Sequence, residues 1–345
     1  MKKIAFILPS LKNVGPNKVA HAIINRIRTD DFYIKVYYFK NLVELEFPCD
    51  SEQLTSKNIK DLYSFDIIHS HMLRADILAA YLPFYNGLKI STIHNMVEED
   101  VFYSHGKLAS KIISKIWVLA WKRFHKVAVL TSFAKEYYCK LGLKHEMLTV
   151  IANGINKKEP TTISANDLEL INNFRNNKKL IGTVCLANER KGLEQIIKVL
   201  AVLQDHCFIL IGDGPVTLAL TELAEKLQVS ERFLVFGFKE NAISFLNLFD
   251  CFALPSRSEG LSLALIEAIS MKVPVVCSDI DVITSAFESD EVSFFELDNI
   301  ESLKNAIVDS CNNDIEKAYA HYLLEYNSDV MAEKYMSIYK GAVVK

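Results

Sequence analysis

Long apolar runs are missing from this chain of 345 residues, which limits how it can meet a membrane. No run approaches the roughly 18 to 20 residues that a membrane-spanning helix needs. The first apolar stretch, residues 4–8, is interrupted by Pro9 and Ser10 before it reaches the length of a signal peptide. The sequence therefore predicts a cytoplasmic protein in which residues 4–8 form the first strand.

The cysteines lack any regular spacing, and the chain lacks a strong charge of one sign. The seven cysteines are odd in number and form no CxxC or Cys/His pattern, which argues against a disulfide framework and a zinc site. The formal net charge is −3 and the isoelectric point is near 6.3, so the whole chain has no general attraction to nucleic acid or to anionic lipid. We therefore expect no nucleic-acid partner.

Apolar residues, by contrast, make up half of the chain, which is enough for two hydrophobic cores. Short apolar runs alternate with longer helical patterns, and this alternation is typical of βαβ units with parallel sheets. The predicted strands are residues 4–8, 34–39, 67–69, 89–93, 127–131 and 148–151 in the first half, and 180–184, 206–211, 233–236, 251–254 and 273–277 in the second.

Between these two sets of strands lies a segment with neither strand nor helix periodicity in its first part. Residues 153–179 are rich in Asn, Lys and Thr and contain Pro160, so we place the interdomain connection there. The sequence predicts an α/β protein with two Rossmann-like domains, residues 1–155 and 156–328. A helix over residues 329–345 is expected to pack back on the first domain.

The sharpest motif is the stretch LPSRSEGLSLALIEA at residues 254–268. Glu259 follows a predicted strand directly, and Glu267 lies two helical turns further on, so both carboxylates can border one crevice at the strand's carboxyl end. Open α/β sheets bind ligands at that edge. The alternative is that Glu259 is an ordinary acid in the first turn of a helix and Glu267 a solvated helix residue.

The turn between these two acids also suits an anion. Gly260, Leu261 and Ser262 present backbone N–H groups at a helix N-terminus, where a phosphate is stabilised. Upstream, Arg190 and Lys191 lie at another strand-to-helix turn, where a lysine can reach a diphosphate and stabilise the charge of a leaving group. A solvated surface turn is the alternative for these two residues.

These segments resemble the retaining GT-B glycosyltransferases of family 4, whose hallmark is two glutamates eight positions apart in a PS..EG.....EA context. The resemblance implies two domains facing a central cleft. It implies that Glu259 contacts hydroxyls of the donor sugar, Glu267 the ribose, and Lys191 the diphosphate. The family also has an arginine five or six residues before its Lys-Gly. Here those positions hold Cys185 and Leu186, and Arg190 is the candidate replacement.

Further donor contacts follow from the same resemblance. His94 ends a predicted strand and matches a family histidine that touches the donor sugar, which makes it a candidate catalytic residue beside Lys191 and Glu259. Gly15 and Pro16 match a loop that faces the donor phosphates. Gly237 ends a strand where the base would lie.

Three more groups of residues have structural or acceptor-related interpretations. His69 and His71 are assigned to fold support first and to acceptor contact second, and Glu98, Glu99 and Asp100 lie near His94 as possible acceptor contacts. The Asp279-Ile280-Asp281 sequence matches a metal motif of a different transferase architecture. Because it falls in a loop of the second domain, we expect neither a metal nor another cofactor.

One amphipathic stretch, residues 107–126, has two interpretations. Its lysines fall on one side of a helical wheel, and most of its apolar residues fall elsewhere. The stretch is either a core helix with a solvated lysine face or a site that docks on the anionic inner surface of the cell membrane.

The resemblance implies that the chain is a retaining, metal-independent hexosyltransferase. It would move a sugar from a nucleoside-diphosphate sugar, with UDP favoured, to a hydroxyl of a glycan or lipid-linked acceptor in surface polysaccharide synthesis. Two alternatives stay open: a GT-B nucleotide-sugar epimerase, and an inactive paralogue that serves as partner of an active transferase. The missing arginine gives the second alternative its weight.

Overall fold

The computed structural model describes residues 1–27, 31–157 and 161–341, and in them the chain forms two compact units. Unit 1 comprises Met1–Asn156 and Glu325–Lys345, and unit 2 comprises Lys157–Leu324. Pro160, in the predicted interdomain connection, and residues 342–345 of the predicted C-terminal helix lie outside the described residues.

In its described residues, unit 1 is built around a seven-stranded sheet in which every pair of neighbouring strands is parallel. The strands are β1 (Lys2–Leu11), β2 (Phe32–Val43), β3 (Asp50–Gln53), β4 (Ile67–His71), β5 (Leu88–Thr92), β6 (Lys126–Val129) and β7 (Leu148–Val150). Their order across the sheet is β3-β2-β1-β4-β5-β6-β7. The helices between them are α1 (Gly15–Arg26), α2 (Leu73–Tyr81), α3 (Val97–Trp121) and α4 (Ser132–Lys140).

Unit 2 repeats this architecture with a six-stranded parallel sheet in the part that the structure describes. Its strands are β8 (Lys179–Val184), β9 (His206–Ile211), β10 (Phe233–Gly237), β11 (Cys251–Leu254), β12 (Val275–Ser278) and β13 (Ser293–Phe295). Their order is β10-β9-β8-β11-β12-β13. Its helices are α5 (Ala165–Arg175), α6 (Glu194–Leu200), α7 (Thr217–Lys226), α8 (Ala242–Phe245), α9 (Leu263–Ser270), α10 (Asp281–Thr284), α11 (Ile300–Asp309) and α12 (Ile315–His321).

Each sheet has a switch point where the order of its strands reverses. In unit 1 the switch lies between β1 and β4, and in unit 2 it lies between β8 and β11. The chain leaves the two strands at such a point in opposite directions, so their following loops diverge and open a crevice at the carboxyl edge. The loops after these four strands are therefore where ligand-binding residues are expected.

The central strands form because their sequences are apolar on both faces. All six residues of β9, HCFILI, are buried, and so are all four of β11. Two strands were missed in the sequence. β3 reads DSEQ and is largely exposed at one end of its sheet, and β13 has three residues at the end of the other. Strands this short at sheet edges carry little hydrophobic pattern, and β3 is also polar.

The last helix, α13 (Ser328–Gly341), belongs to unit 1 and contacts α1 and the sheet. The Tyr335 hydroxyl lies 2.7 Å from Thr92 Oγ1, and the Tyr339 hydroxyl lies 2.7 Å from His69 Nδ1. His69 Nε2 in turn lies 2.8 Å from Thr92 Oγ1. All four residues are buried, so this network of hydrogen bonds anchors the end of the chain to β4 and β5.

A second buried network surrounds Asp76 of α2 and joins it to α3. Asp76 Oδ1 accepts hydrogen bonds from Ser70 Oγ at 2.6 Å and Ser91 Oγ at 2.8 Å. Its Oδ2 accepts from Trp117 Nε1 at 2.7 Å and Trp121 Nε1 at 3.0 Å. Burial raises the pKa of this carboxyl to about 6, against the four hydrogen bonds that lower it. This carboxyl therefore organises the packing of two helices and two strands.

Candidate functional site

A salt bridge at the carboxyl edge of the unit 2 sheet joins two of the predicted site residues. Lys191 follows β8 and Glu259 follows β11, the two strands that flank the switch point. Lys191 Nζ donates to Glu259 Oε1 at 2.6 Å, and the two side chains are only 13% and 6% exposed. The ammonium and the carboxylate thus meet where α/β sheets commonly bind ligands.

Electrostatics keep the Glu259 carboxyl ionised in this buried position. Burial raises its pKa, but the positive charges of Lys191 and Arg190, together with the hydrogen bond from Lys191, lower it by more, and the pKa lies below its usual value. The carboxylate is therefore available as an acceptor for hydroxyl groups, and Lys191 is held in place by it.

Arg190 lies beside Lys191 and Glu259, in the same turn after β8 as Lys191. Arg190 Nη1 donates to the carbonyl oxygen of Ser258 at 3.4 Å. Burial raises the pKa of the Cys185 thiol to about 11, while the charges of Lys191 and Arg190 act in the opposite direction. The charge of Arg190 therefore acts on Cys185. Cys185 occupies one of the two positions where the resemblance implies an arginine.

The turn that carries Lys191 is fixed by close packing against the loop after β11. Gly192 has a φ of +60°, and a Cβ there would lie 2.2 Å from the carbonyl oxygen of Pro255. The buried Gln195 donates its Nε2 to the same oxygen at 3.0 Å. Only glycine adopts this φ readily and fits in this space. The backbone therefore requires the glycine of the Lys-Gly sequence, and the lysine supplies the charge.

Arg257, which the sequence analysis did not single out, also holds the loop after β11 in place. Arg257 Nη2 donates to Glu194 Oε1 at 2.6 Å and to Asp298 Oδ1 at 2.5 Å. Its backbone N–H donates to the carbonyl oxygen of Arg190 at 2.8 Å. The two loops of the site are therefore joined by both main-chain and side-chain bonds. Arg257 lies inside the 254–268 motif, but its partners are distant in sequence.

The remaining donor residues predicted on this motif lie at the start of α9. Gly260, Leu261 and Ser262 are buried, and Ser262 Oγ accepts a hydrogen bond from the backbone N–H of Leu265 at 3.4 Å. Ser262 is thus the N-cap of α9. Glu267 lies in the middle of the helix and is partly exposed.

Gly237, the predicted neighbour of the base, ends β10. Its φ is +76°, and its carbonyl oxygen accepts a hydrogen bond from the backbone N–H of Gly212 at 2.8 Å. This bond ties the ends of β9 and β10 together.

In unit 1, the predicted Gly15 and Pro16 open α1 directly after β1. Both are partly exposed, and proline occupies the first turn, where its missing N–H costs no hydrogen bond. The residue before them, Val14, supplies no side-chain cap. The first turn of α1 is thus at the switch point of the unit 1 sheet.

His94 lies two residues beyond β5 and is buried against a second histidine. Its Nε2 lies 2.8 Å from His71 Nδ1 at the end of β4. The nearby acids begin α3, and two of them already bind neighbours within unit 1. Glu98 Oε2 accepts from the Tyr137 hydroxyl at 3.0 Å, and Asp100 Oδ1 accepts from Asn95 Nδ2 at 2.8 Å. The contact between the two histidines was not predicted from the sequence.

The helix α3 departs from the sequence prediction at its C-terminal end. The helix ends at Trp121, so Lys126, counted on its basic face, lies in β6 instead and donates its Nζ to the carbonyl oxygen of Glu146 at 2.8 Å. The helix is interrupted at Gly106, whose φ is +82° and ψ is 174°, one residue before the predicted stretch begins. The helical wheel ran past Trp121 and therefore went wrong at its C-terminal end.

The apolar residues of α3 are only partly covered by the rest of unit 1. Trp117 and Trp121 are buried, as a core helix requires. Several apolar residues are exposed instead, and among them Leu108, Ile112 and Ile116 are 76%, 54% and 48% exposed. These three follow directly after three exposed lysines, Lys107, Lys111 and Lys115. Two adjacent stripes, one basic and one apolar, thus share the surface of α3, which we call the α3 face.

No group of three or more His, Cys, Asp and Glu side chains in the described ranges is arranged to hold a metal ion. Of the Asp279-Ile280-Asp281 sequence, Asp279 Oδ1 accepts from the backbone N–H of Leu297 at 3.3 Å and Asp281 opens α10. No helix in the described part of the chain is long and apolar enough to cross a membrane.

Two family models match the chain, and together they span most of it. Residues 166–325 match the model of glycosyl transferases group 1, and residues 36–159 match that of glycosyltransferase family 4. The chain is 28% identical over 350 residues to the O-antigen biosynthesis glycosyltransferase WclY of Escherichia coli, covering 98% of each chain. It is 26% identical over 257 residues to the UDP-Gal:alpha-D-GlcNAc-diphosphoundecaprenol alpha-1,3-galactosyltransferase of Escherichia coli, covering 71% of this chain and 66% of that protein.

Solved structures share the fold at lower sequence identity. Anabaena Alr3699/HepE in complex with UDP and glucose superposes with a TM-score of 0.83 at 17% identity, covering 99% of this chain and 100% of that one. WaaG, a glycosyltransferase involved in lipopolysaccharide biosynthesis, gives a TM-score of 0.74 at 15% identity, covering 98% of this chain and 100% of that one. The two-unit parallel-sheet architecture is therefore common to all three chains.

Proposed function

The chain belongs to the family 4 glycosyltransferases and has the GT-B fold, and from this we infer that it moves a sugar from a nucleoside-diphosphate sugar to a hydroxyl of a glycan or lipid-linked acceptor. We propose UDP as the nucleotide, a hexose as the sugar, retention of the anomeric configuration and no metal. Relatives that act in O-antigen synthesis or on a diphosphoundecaprenol acceptor support a role in surface polysaccharide synthesis, with the acceptor at the cytoplasmic face of the membrane.

One observation carries this proposal: Lys191 and Glu259 form a buried pair at the switch point of the unit 2 sheet, with Arg190 beside them. Breaking the bond between sugar and diphosphate leaves negative charge on the departing phosphate. Cations held in a protein environment of low polarity stabilise such charge strongly because they need no reorganisation. Lys191 and Arg190 supply that charge here.

The other predicted residues receive roles in the same proposal. Glu259 accepts hydrogen bonds from hydroxyls of the donor sugar, and Glu267 accepts from the ribose. The N–H groups of Gly260, Leu261 and Ser262 are proposed to face the diphosphate because they lie directly before the first turn of α9. We propose that Gly237 touches the base and that Gly15 and Pro16 touch the phosphates. His94 is proposed to touch the sugar. In the family's proposed mechanism the departing phosphate oxygen itself takes the proton of the attacking hydroxyl.

A panel of nucleotide sugars tests this function. The protein is incubated with UDP-, GDP-, ADP- and dTDP-linked hexoses, and release of free nucleoside diphosphate is measured with and without lipid-linked acceptors. We expect slow release from a UDP-sugar that is accelerated by an acceptor. Conversion of the donor into an epimer without acceptor would support the epimerase instead. Absence of any turnover across the panel would support the inactive paralogue.

The α3 face supports a further part of the proposal, docking on an anionic membrane. Three lysines on one stripe offer about 3 kcal/mol of attraction to an anionic surface, at about 1 kcal/mol each. The exposed Leu108 and Ile112 beside them can enter the interface between head groups and acyl chains. A lipid-linked acceptor would be presented at such a surface.

Vesicle co-sedimentation tests this docking directly. We expect wild-type protein to sediment with vesicles of equimolar phosphatidylglycerol and phosphatidylcholine, and the K107E/K111E/K115E variant to lose at least about tenfold in affinity. The control is K144E/K198E/K226E, which makes the same change in charge at exposed lysines elsewhere. Equal losses in both variants, or no loss in the first, would contradict a docking role for the α3 face.

A further inference from the structure

The histidine pair in unit 1 contains an atom that the proposed function leaves unexplained. His71 Nδ1 and His94 Nε2 lie 2.8 Å apart, so one ring donates a hydrogen bond to the other. The second nitrogen of His71, Nε2, is fully buried and has no hydrogen-bond partner in the part of the chain that the structure describes. Burying a polar atom without a hydrogen-bond partner costs free energy. This cost indicates which nitrogen of His71 carries the proton.

Both imidazoles are neutral near pH 7. Burial lowers the pKa of His94 to about 3 and lowers that of His71 well below its ordinary value, where the neighbouring His69 and His94 add to the effect. A neutral imidazole carries one N–H and one bare nitrogen. Fixing the proton on one ring of the pair therefore fixes it on the other.

Two arrangements of the protons are possible, and they differ at His71 Nε2. If His94 Nε2 donates, the proton of His71 must lie on its own Nε2, where a buried N–H group has nothing to bind. If His71 Nδ1 donates, its Nε2 is a bare lone pair, and no N–H group is stranded. Stranded donors are rarer in proteins than acceptors with an unused lone pair. The ring of Phe6 stacks 6.1 Å from that of His71 and offers Nε2 no polar partner.

We propose that His71 is a positioning residue that donates its Nδ1–H to His94 and thereby holds His94 in the tautomer whose proton lies on Nδ1. His94 Nδ1 then becomes a hydrogen-bond donor, because Nε2 is used as an acceptor. Within the described residues, Nδ1 of His94 has no protein partner of its own. It is the atom with which His94 can reach a ligand.

This arrangement restricts what His94 can do and rests on the proposed function for its consequence. A histidine that presents an N–H group can donate to an oxygen of the donor sugar. With its bare nitrogen occupied by His71, it cannot remove a proton or attack the sugar carbon. The structure thus assigns His94 a binding and orienting role, with proton removal left to another group.

The proton positions can be measured without any assay of activity. Nitrogen NMR of protein labelled in the imidazole rings separates protonated from bare ring nitrogens, and the H71N and H94N variants assign the signals. We expect His94 to be protonated at Nδ1 and bare at Nε2, and His71 to be protonated at Nδ1. A spectrum with the His94 proton on Nε2 would overturn the proposal, whatever the enzyme does with nucleotide sugars.

A matched pair of variants tests the positioning role. In H71N the amide nitrogen takes the place of Nδ1 and keeps the donated bond, whereas H71L fills a similar volume with no donor. We expect H71N to keep kcat/KM for the donor within about threefold of wild type and H71L to lower it about tenfold, the value of one hydrogen bond. We also expect His94 to stay protonated at Nδ1 in H71N and to become a mixture of tautomers in H71L.

The outcomes separate this inference from the proposed function. If wild-type protein turns over no nucleotide sugar but shows the expected tautomers, the function fails and the positioning contact stands. If the enzyme is active and H71L retains both full activity and the wild-type His94 tautomer, the positioning role fails and the function stands. Should H71L not fold, the wild-type spectrum and H71N still decide.

Discussion

Replacing Lys191 with alanine is expected to lower kcat and kcat/KM for the donor together, by about 100- to 1,000-fold. The ammonium acts on charge that grows as the sugar leaves the diphosphate, so its loss is felt in the transition state more than in the bound donor. Steady-state release of nucleoside diphosphate, measured over a range of donor concentrations, gives both constants.

The controls separate this effect from general damage to the fold. Lys198 is an exposed lysine on α6 of the same unit, and K198A should stay within about twofold of wild type. E267A should act mainly through a higher KM for the donor, because its proposed contact is with the ribose, away from the bond that breaks. Activity of K191A within about threefold of wild type would contradict the proposed site.

Lys191 replacement should also weaken the fold, and this must be measured alongside activity. K191A leaves Glu259 as a buried carboxylate without its cation, which costs on the order of 3 kcal/mol of unfolding free energy. K191A/E259Q removes the uncompensated charge and should recover part of that stability without recovering activity. Chemical denaturation of the three proteins therefore distinguishes a folding defect from a lost catalytic group.

The fold could be predicted from the sequence because its strands are buried on both faces. β9 and β11 have the bounds predicted for them, residues 206–211 and 251–254, and the predicted GT-B fold is confirmed. The approach of Lys191 to Glu259 follows from the same reasoning. Loops after neighbouring parallel strands meet at one edge of the sheet, so two motifs far apart in sequence could be expected close together.

Side-chain partners could not be predicted in the same way. The sequence places His71 and His94 at the ends of adjacent strands, but whether their rings touch depends on rotamers and on the loop after β5. The exposure of Leu108 and Ile112 was missed for a related reason. Helical periodicity shows which residues share a face, and only the neighbouring elements decide whether that face is covered.

The largest loss of stability is expected from the Asp76 network, and the choice of substitution decides its size. In D76L the indole N–H group of Trp117 loses its acceptor and is buried without a partner, whereas that of Trp121 keeps Ser91 Oγ at 3.1 Å. The stranded donor costs about 1–3 kcal/mol and each of the other three lost hydrogen bonds about 0.5–1.5 kcal/mol, so we expect D76L to lose about 4 kcal/mol of unfolding free energy. The hydroxyls of Ser70 and Ser91 add less, because they can rotate toward other acceptors.

In D76N, by contrast, most of the hydrogen bonds can be kept. The amide oxygen can face the two indole N–H groups, and its NH₂ group can donate to Ser70 and Ser91, whose hydroxyls accept equally well. We therefore expect D76N to lose no more than about 1.5 kcal/mol at pH 7. Urea denaturation of both variants measures the difference, and equal losses would show that the network contributes through packing alone.

The pH dependence of these proteins tests the charge of Asp76 separately. Its pKa is raised from 3.8 to about 6 in the folded protein, so between these values the folded state binds a proton that the unfolded state does not. The stability that Asp76 contributes is therefore greatest below about pH 4 and falls as the pH rises to about 6. The shift corresponds to about 3 kcal/mol. Because D76N cannot titrate, the stability of wild type relative to D76N should fall by that amount from pH 4 to pH 7. A difference that stays constant over this range would mean that Asp76 is ionised throughout and is held so by its four hydrogen bonds.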